Sequence, residues 1–376
     1  MMYSAANRLS PEDIYDASRM AFLEMALSGI TAVGEFHYLH KQPGGTPYDD
    51  PNLLAKQVIR AARDVGLRIA LLHVAYARAG YEVEDNPKQA RFIETDPDKY
   101  LDHLDQLRSS LNASDGGSWV GIAPHSVRAV PLMYLKKIID YGNAQKLPIH
   151  MHVAEQPAEV SACIAEYGRS PIALLESEGL LSERFTSVHT IHITPKASQM
   201  LAQARAMVCA CPTTERNLGD GVVPVDTFFN DGVRVSLGTD SQVQIDLLED
   251  ARELEYHLRL QKSERAVLVD DKSEERSGLA ARLFECASVN GAHSIGFTGG
   301  DLKAGAPADF FTVDLSDPSI AGASPEYLLS CIVFSLSRTA VKDVVVGGRM
   351  IVQDGRHADE VEIVKRFNAL QRKLWD

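Results

Sequence analysis

The stretch 147-LPIHMHVAEQ-156 sets His150, His152 and Glu155 close together on an apolar run. Neutral imidazole and carboxylate are the usual ligands of a hydrolytic zinc ion, which keeps one position open for water. Residues i and i+2 of a strand point the same way, so His150 and His152 share a direction. The one nearer the strand's C-terminal end is the better placed ligand. Glu155 follows where the strand gives way to a loop, where a carboxylate can shuttle a proton between activated water and a leaving group without being a ligand. The alternative, for this stretch alone, is a structural histidine pair and a helix-start carboxylate.

Similar residues recur along the chain. The run 188-VHTIHIT-194 places His189 at a strand end, and 235-VSLGTDSQ-242 ends a strand at Asp240. An aspartate there can ligate a metal or take a proton from water attacking an sp² carbon; it can also simply cap the next helix. His125 and Arg128 lie in 121-GIAPHSVRAV-130. Arginine grips a carboxylate with two parallel hydrogen bonds, which points to an acidic substrate, with a surface salt bridge as the rival. Glu35, His37, Tyr38 and His40 come from 34-GEFHYLH-40, and 211-CPTTERNLGDG-221 is a polar, glycine-broken loop able to line a pocket. Each piece is weak alone. Strand ends bearing His, then His, then Asp form a pattern for metal-assisted hydrolysis.

Those residues need strands to carry them. Apolar runs at 29–36, 68–74, 118–124, 147–153, 186–192, 206–212 and 233–240 alternate with helical patterns at 52–67, 131–142 and 196–206. Nearly continuous apolar strands imply a parallel sheet covered by helices. No glycine fingerprint of the dinucleotide or P-loop type follows any of them. Chemistry at many strand ends on one face favours a (β/α)8 barrel over a doubly wound sheet. Seven strands are visible where a closed barrel uses eight. The expected organisation is a barrel body over 1–298, part of a β-sandwich over 299–358, and a C-terminal helix over 359–376. A helix-like stretch at 274–296 precedes the β segment, which includes a hairpin turned at Gly347-Gly348 and a turn at Asp354-Gly355.

Composition bounds the partners. With a formal net charge of −13, the chain does not present a general nucleic-acid surface. It has no apolar run long enough for a membrane span. Its opening residues lack the basic flank and apolar core of a signal peptide. Five cysteines form no metal knuckle or paired framework and fit a reducing compartment, so a cytoplasmic location is expected.

Taken together, 34-GEFHYLH-40, 121-GIAPHSVRAV-130, 149-IHMHVAEQ-156, 188-VHTIHIT-194, 211-CPTTERNLGDG-221 and 238-GTDSQ-242 resemble the amidohydrolase superfamily and, within it, the formimidoylglutamate deiminases. The pairing of APHS-x-RAV with CPTTE-x-NLGDG is the most specific part of the likeness. The resemblance implies a barrel with a small β-sandwich, one zinc per subunit, and a homodimer. It implies hydrolysis of N-formimidoyl-L-glutamate to N-formyl-L-glutamate and ammonia. His152 and Asp240 would then be zinc ligands, with Asp240 also a proton acceptor. Glu155 would shuttle protons, His189 would polarise the attacked group, and His125, Arg128 and Tyr38 would bind substrate. The family also uses a His-x-His pair on its first barrel strand. No such pair precedes His37, so a barrel lacking its first strand is expected, and with it either a start-site shift or an impaired remnant. The rival activities are deamination of a guanine-like or other cyclic amidine and a catalytically silent structural role.

Overall fold

The computed structural model describes residues 2–84, 86–111, 117–269 and 278–375. Its centre is a parallel sheet whose strands follow sequence order: β1 (Ala32–His37), β2 (Arg68–Ala75), β3 (Ser118–Pro124), β4 (Ile149–Val153), β5 (Phe185–His189), β6 (Met207–Ala210) and β7 (Val235–Leu237). Every one of the seven predicted strands is present, several shorter than expected. The 186–192 run, for example, leaves the sheet at His189, where φ is +66°.

The sheet curls steeply. In a flat sheet β1 and β4 would stand about 14 Å apart, three strand spacings. Instead the Tyr38 hydroxyl, just past β1, lies 3.4 Å from Nε2 of His152 on β4. The result is an open, incomplete (β/α)8-like barrel, with β1 and β7 as its edge strands.

Helices cover the outside because each presents an apolar stripe. The helix Leu53–Val65 buries Leu54, Ala55, Val58, Ile59, Ala61, Ala62 and Val65, and ends at Gly66 with φ +95°, where a Cβ would be strained. The helix Pro11–Leu27 opens with a reciprocal capping box between Ser10 and Asp13 and packs against Leu53–Val65. The 274–296 prediction falls partly outside the described residues. Its described part forms two helices, Gly278–Ala287 and Val289–Ser294, broken at Ser288.

A separate antiparallel sheet follows: β8 (Phe310–Val313), β9 (Val341–Val346), β10 (Arg349–Gln353) and β11 (Arg356–His357). Gly347 and Gly348 turn the β9–β10 hairpin at φ +58° and +76°, as the Gly-Gly pair predicts. Arg68 at the start of β2 holds both Asp309 carboxylate oxygens, at 2.6 and 3.0 Å, tying this sheet to the barrel. No helix among the described residues is long and apolar enough to cross a membrane.

Candidate active site

The C-terminal ends of the parallel strands converge on one face, and the chemistry gathers there. His152, near the end of β4, sets its Nδ1 2.9 Å from the His125 carbonyl oxygen. A carbonyl can only accept, so the proton sits on Nδ1 and Nε2 turns its lone pair inward. Burial, reinforced by nearby His189, pushes the imidazole pKa down to about 3 and keeps it neutral. The His125 ring lies 5.0 Å from that of His152, and the Tyr38 ring 5.8 Å from that of His125.

His189 closes β5. Its Nδ1 lies 3.1 Å from Oε1 of Glu215, so the donor is again Nδ1–H. Nε2 is buried and has no hydrogen-bond partner among the described residues, although Asp240 Oδ2 stands 3.8 Å away and Glu155 Oε1 3.9 Å away. Burial pulls the His189 pKa down, but Glu215, then Glu155 and Asp240, outweigh it and lift it to about 9. Burial raises the pKa values of Glu155 and Asp240, and the His189 charge partly opposes this.

The loops at the strand ends are braced from behind. The Glu159 carboxylate accepts the backbone N–H groups of Ala154 and Glu155, at 3.1 and 3.0 Å. Gln156 reaches across to Asp220 at 3.0 Å, bringing the 211–221 segment against the pocket wall. That segment is not simply a loop, since Pro212–Leu218 forms a short helix.

Arg128 is half-buried beside this group. Its Nη1 donates to the Ala79 carbonyl at 2.7 Å and lies 3.5 Å from the Tyr76 hydroxyl. The Tyr76 ring packs edge-on against His125, with 4.7 Å between centroids, which links Arg128 to the histidine cluster. Among the described residues Arg128 enters no ion pair with a carboxylate of the chain.

The donor set fits a divalent metal. Ligand atoms of His189, Cys211 and Asp240 lie within 4.8 Å of one another. His152 stands outside that group, its ring 5.6 Å from that of His189, and among the described residues its lone pair meets only the Tyr38 hydroxyl. The expected ligand pair of His152 and Asp240 therefore shares the site with a thiol that the sequence did not single out. The buried Nε2 of His189, without a partner among the described residues, suits a bound ligand at this face, because an unsatisfied buried nitrogen is costly.

Other histidines in the motifs belong elsewhere. His150 bonds the Ser294 carbonyl at 2.8 Å and closes the opposite end of the barrel. His37 and His40 pack with His73, at ring separations of 5.4 and 4.4 Å for successive pairs. Glu35 stays near the pocket edge, where burial and the Asp240 charge raise its pKa to about 7. Glu215, Glu159 and Tyr76 were invisible as site residues in the sequence. The one usable signal was the Thr-Thr-Glu run directly after a strand end.

Imidazole, carboxylate and thiol donors at the C-terminal face of a parallel α/β barrel define a metal-dependent hydrolase. The chain belongs to the amidohydrolase family, whose model matches residues 2–351. A formimidoylglutamate deiminase of Pseudomonas aeruginosa is 36% identical over the whole chain and 82% of its own length. A 5-methylthioadenosine/S-adenosylhomocysteine deaminase of Pyrococcus horikoshii is 27% identical, covering 97% of this chain and 79% of that one. The crystal structure of an amidohydrolase from Brucella melitensis superposes with a TM-score of 0.91 at 33% identity, over all of this chain and 82% of that one.

Proposed function

We propose that the protein is a zinc-dependent deiminase that hydrolyses N-formimidoyl-L-glutamate to N-formyl-L-glutamate and ammonia. The observation carrying this reading is Arg128, a pocket guanidinium without a carboxylate partner among the described residues, in a chain 36% identical to a formimidoylglutamate deiminase. An acidic substrate supplies the missing partner.

His152 and Asp240 would hold the ion, with His189 and Cys211 beside them. Bound there, zinc would supply Lewis acidity, lowering the pKa of water and polarising the C=N group. Asp240 takes the proton of the attacking water at its carboxylate. Asp240 gives that proton to the nitrogen, and Glu155 relays a second one from the new hydroxyl as the formyl C=O forms, so the C–N bond breaks and ammonia leaves; carboxylates with pKa values raised by burial suit both tasks. His189 orients the formimidoyl group through Nε2. Arg128 and His125 grip the glutamate portion, and the Tyr38 hydroxyl contacts the reacting end.

Zinc-loaded protein should release ammonia from N-formimidoyl-L-glutamate, and Arg128→Gln should raise KM for that substrate far more than for an uncharged cyclic amidine. The second reading, deamination of a cyclic amidine, draws on the more distant deaminase relatives. It replaces the first if 5-methylthioadenosine is turned over and N-formimidoyl-L-glutamate is not.

A further inference from the structure

His189 and Asp240 share a backbone peculiarity. Neither is glycine, yet φ is +66° at His189 and +48° at Asp240, in the left-handed region that disfavours side chains. Such conformations persist where the surroundings over-determine them. Two adjacent residues in the first turn of the helix Pro212–Leu218 reach these positions, Thr214 the backbone around Asp240 and Glu215 the imidazole of His189.

The Thr214 hydroxyl brackets Asp240. It donates to the carbonyl of Thr239 at 3.0 Å and accepts the backbone N–H of Ser241 at 3.1 Å. The Ser241 hydroxyl lies 2.9 Å away and donates to the remaining lone pair, so one buried oxygen uses its full capacity on the turn carrying Asp240. Glu215 acts on His189 through the side chain. Its Oε1 receives His189 Nδ1–H at 3.1 Å and the backbone N–H of Cys211 at 2.8 Å. Both residues are nearly inaccessible to solvent. The turn is itself anchored from outside, since the Thr213 N–H donates to Asp250 at 3.0 Å.

We propose that Thr214 and Glu215 are paired positioning residues, which fix the separation of Asp240 and His189 from a single helical turn. The idea rests on the reading that those two residues work in the site. Partners of this kind govern metal affinity even though they never touch the ion, at about 10–100-fold each.

The test is a double-mutant cycle on zinc affinity, measured by competition with a chromogenic chelator. Thr214→Val should weaken zinc binding by about 10–100-fold and Thr214→Ser should restore it. In an Asp240→Ala background Thr214→Val should add nothing. An equal loss in both backgrounds, or no loss in the parent, overturns the proposal. Hydrogen exchange of the metal-free protein gives an independent readout. The 239–242 segment should exchange faster in Thr214→Val, and the segment around Cys211 in Glu215→Leu, with the other segment unchanged in each case. Unchanged exchange at both segments also overturns it. A parent chain that binds no zinc and releases no ammonia refutes the proposed function instead, while exchange still decides the positioning.

Discussion

Acid should destabilise this protein through a buried histidine group at the end of β1, and one member permits a number. His40 is buried, and burial is the main reason its pKa falls from 6.5 to about 4, despite a hydrogen bond to the Val74 carbonyl at 2.9 Å. Below pH 6.5 the unfolded chain takes up a proton that folded His40 refuses. Stability is therefore complete above that value and lost as pH falls towards 4. At about pH 5 the difference in proton binding amounts to about 1.5 log units, or about 2 kcal/mol. Burial shifts His37 and His73 in the same direction, so the whole cluster loses more. His40→Gln keeps an N–H donor for Val74 and removes the titration. Urea unfolding followed by circular dichroism, at about pH 7 and about pH 5, should show a drop in unfolding free energy about 2 kcal/mol smaller in the variant. A variant that keeps the parent's full pH dependence would refute the argument.

Three further outcomes follow from the packing around the site. Cys211→Ser should bind zinc as tightly as the parent in chelator competition if His152 and Asp240 hold the ion, and a large loss would move the thiol into the ligand set. Gly238→Ala places a Cβ 3.1 Å from Cys211 Sγ and 3.2 Å from Cys209 Sγ, so overpacking should cost about 1–3 kcal/mol in chemical denaturation. Glu159→Ala leaves the Ala154 and Glu155 N–H groups without their acceptor. It should cost about 1–3 kcal/mol and lower kcat more than it raises KM, because Glu155 loses its backbone brace.

Much of this site is legible in the sequence because a parallel barrel repeats one rule, reactive residues at strand ends. His152, His189 and Asp240 obey it, and so the strand pattern alone predicts their meeting. Glu215 does not. It sits inside a short helix that reads as a loop, and its importance depends on β5 and β6 being neighbours, which no local pattern encodes. Thr214 is hidden for the same reason, acting on a turn 25 positions away. His37 and His40 show the converse. His37 ends β1, as the rule requires, yet it alternates with Phe36, whose ring lies 4.7 Å from His152, and so faces away from the site; His40 lies beyond the strand and packs on His73.

The helix Glu360–Trp375 lies against Pro11–Leu27, with Arg366 bonded to Asp16 at 2.7 Å, Arg19 to Glu362 at 2.7 Å, and Lys373 to Asp13. The Arg366–Asp16 partners are separated by 350 positions. At ribosomal speeds of about 5–20 residues per second, Asp13, Asp16 and Arg19 wait roughly 20–70 s for their partners after they are made. Throughout that interval the barrel strands are made while these charges on Pro11–Leu27 wait for the late helix.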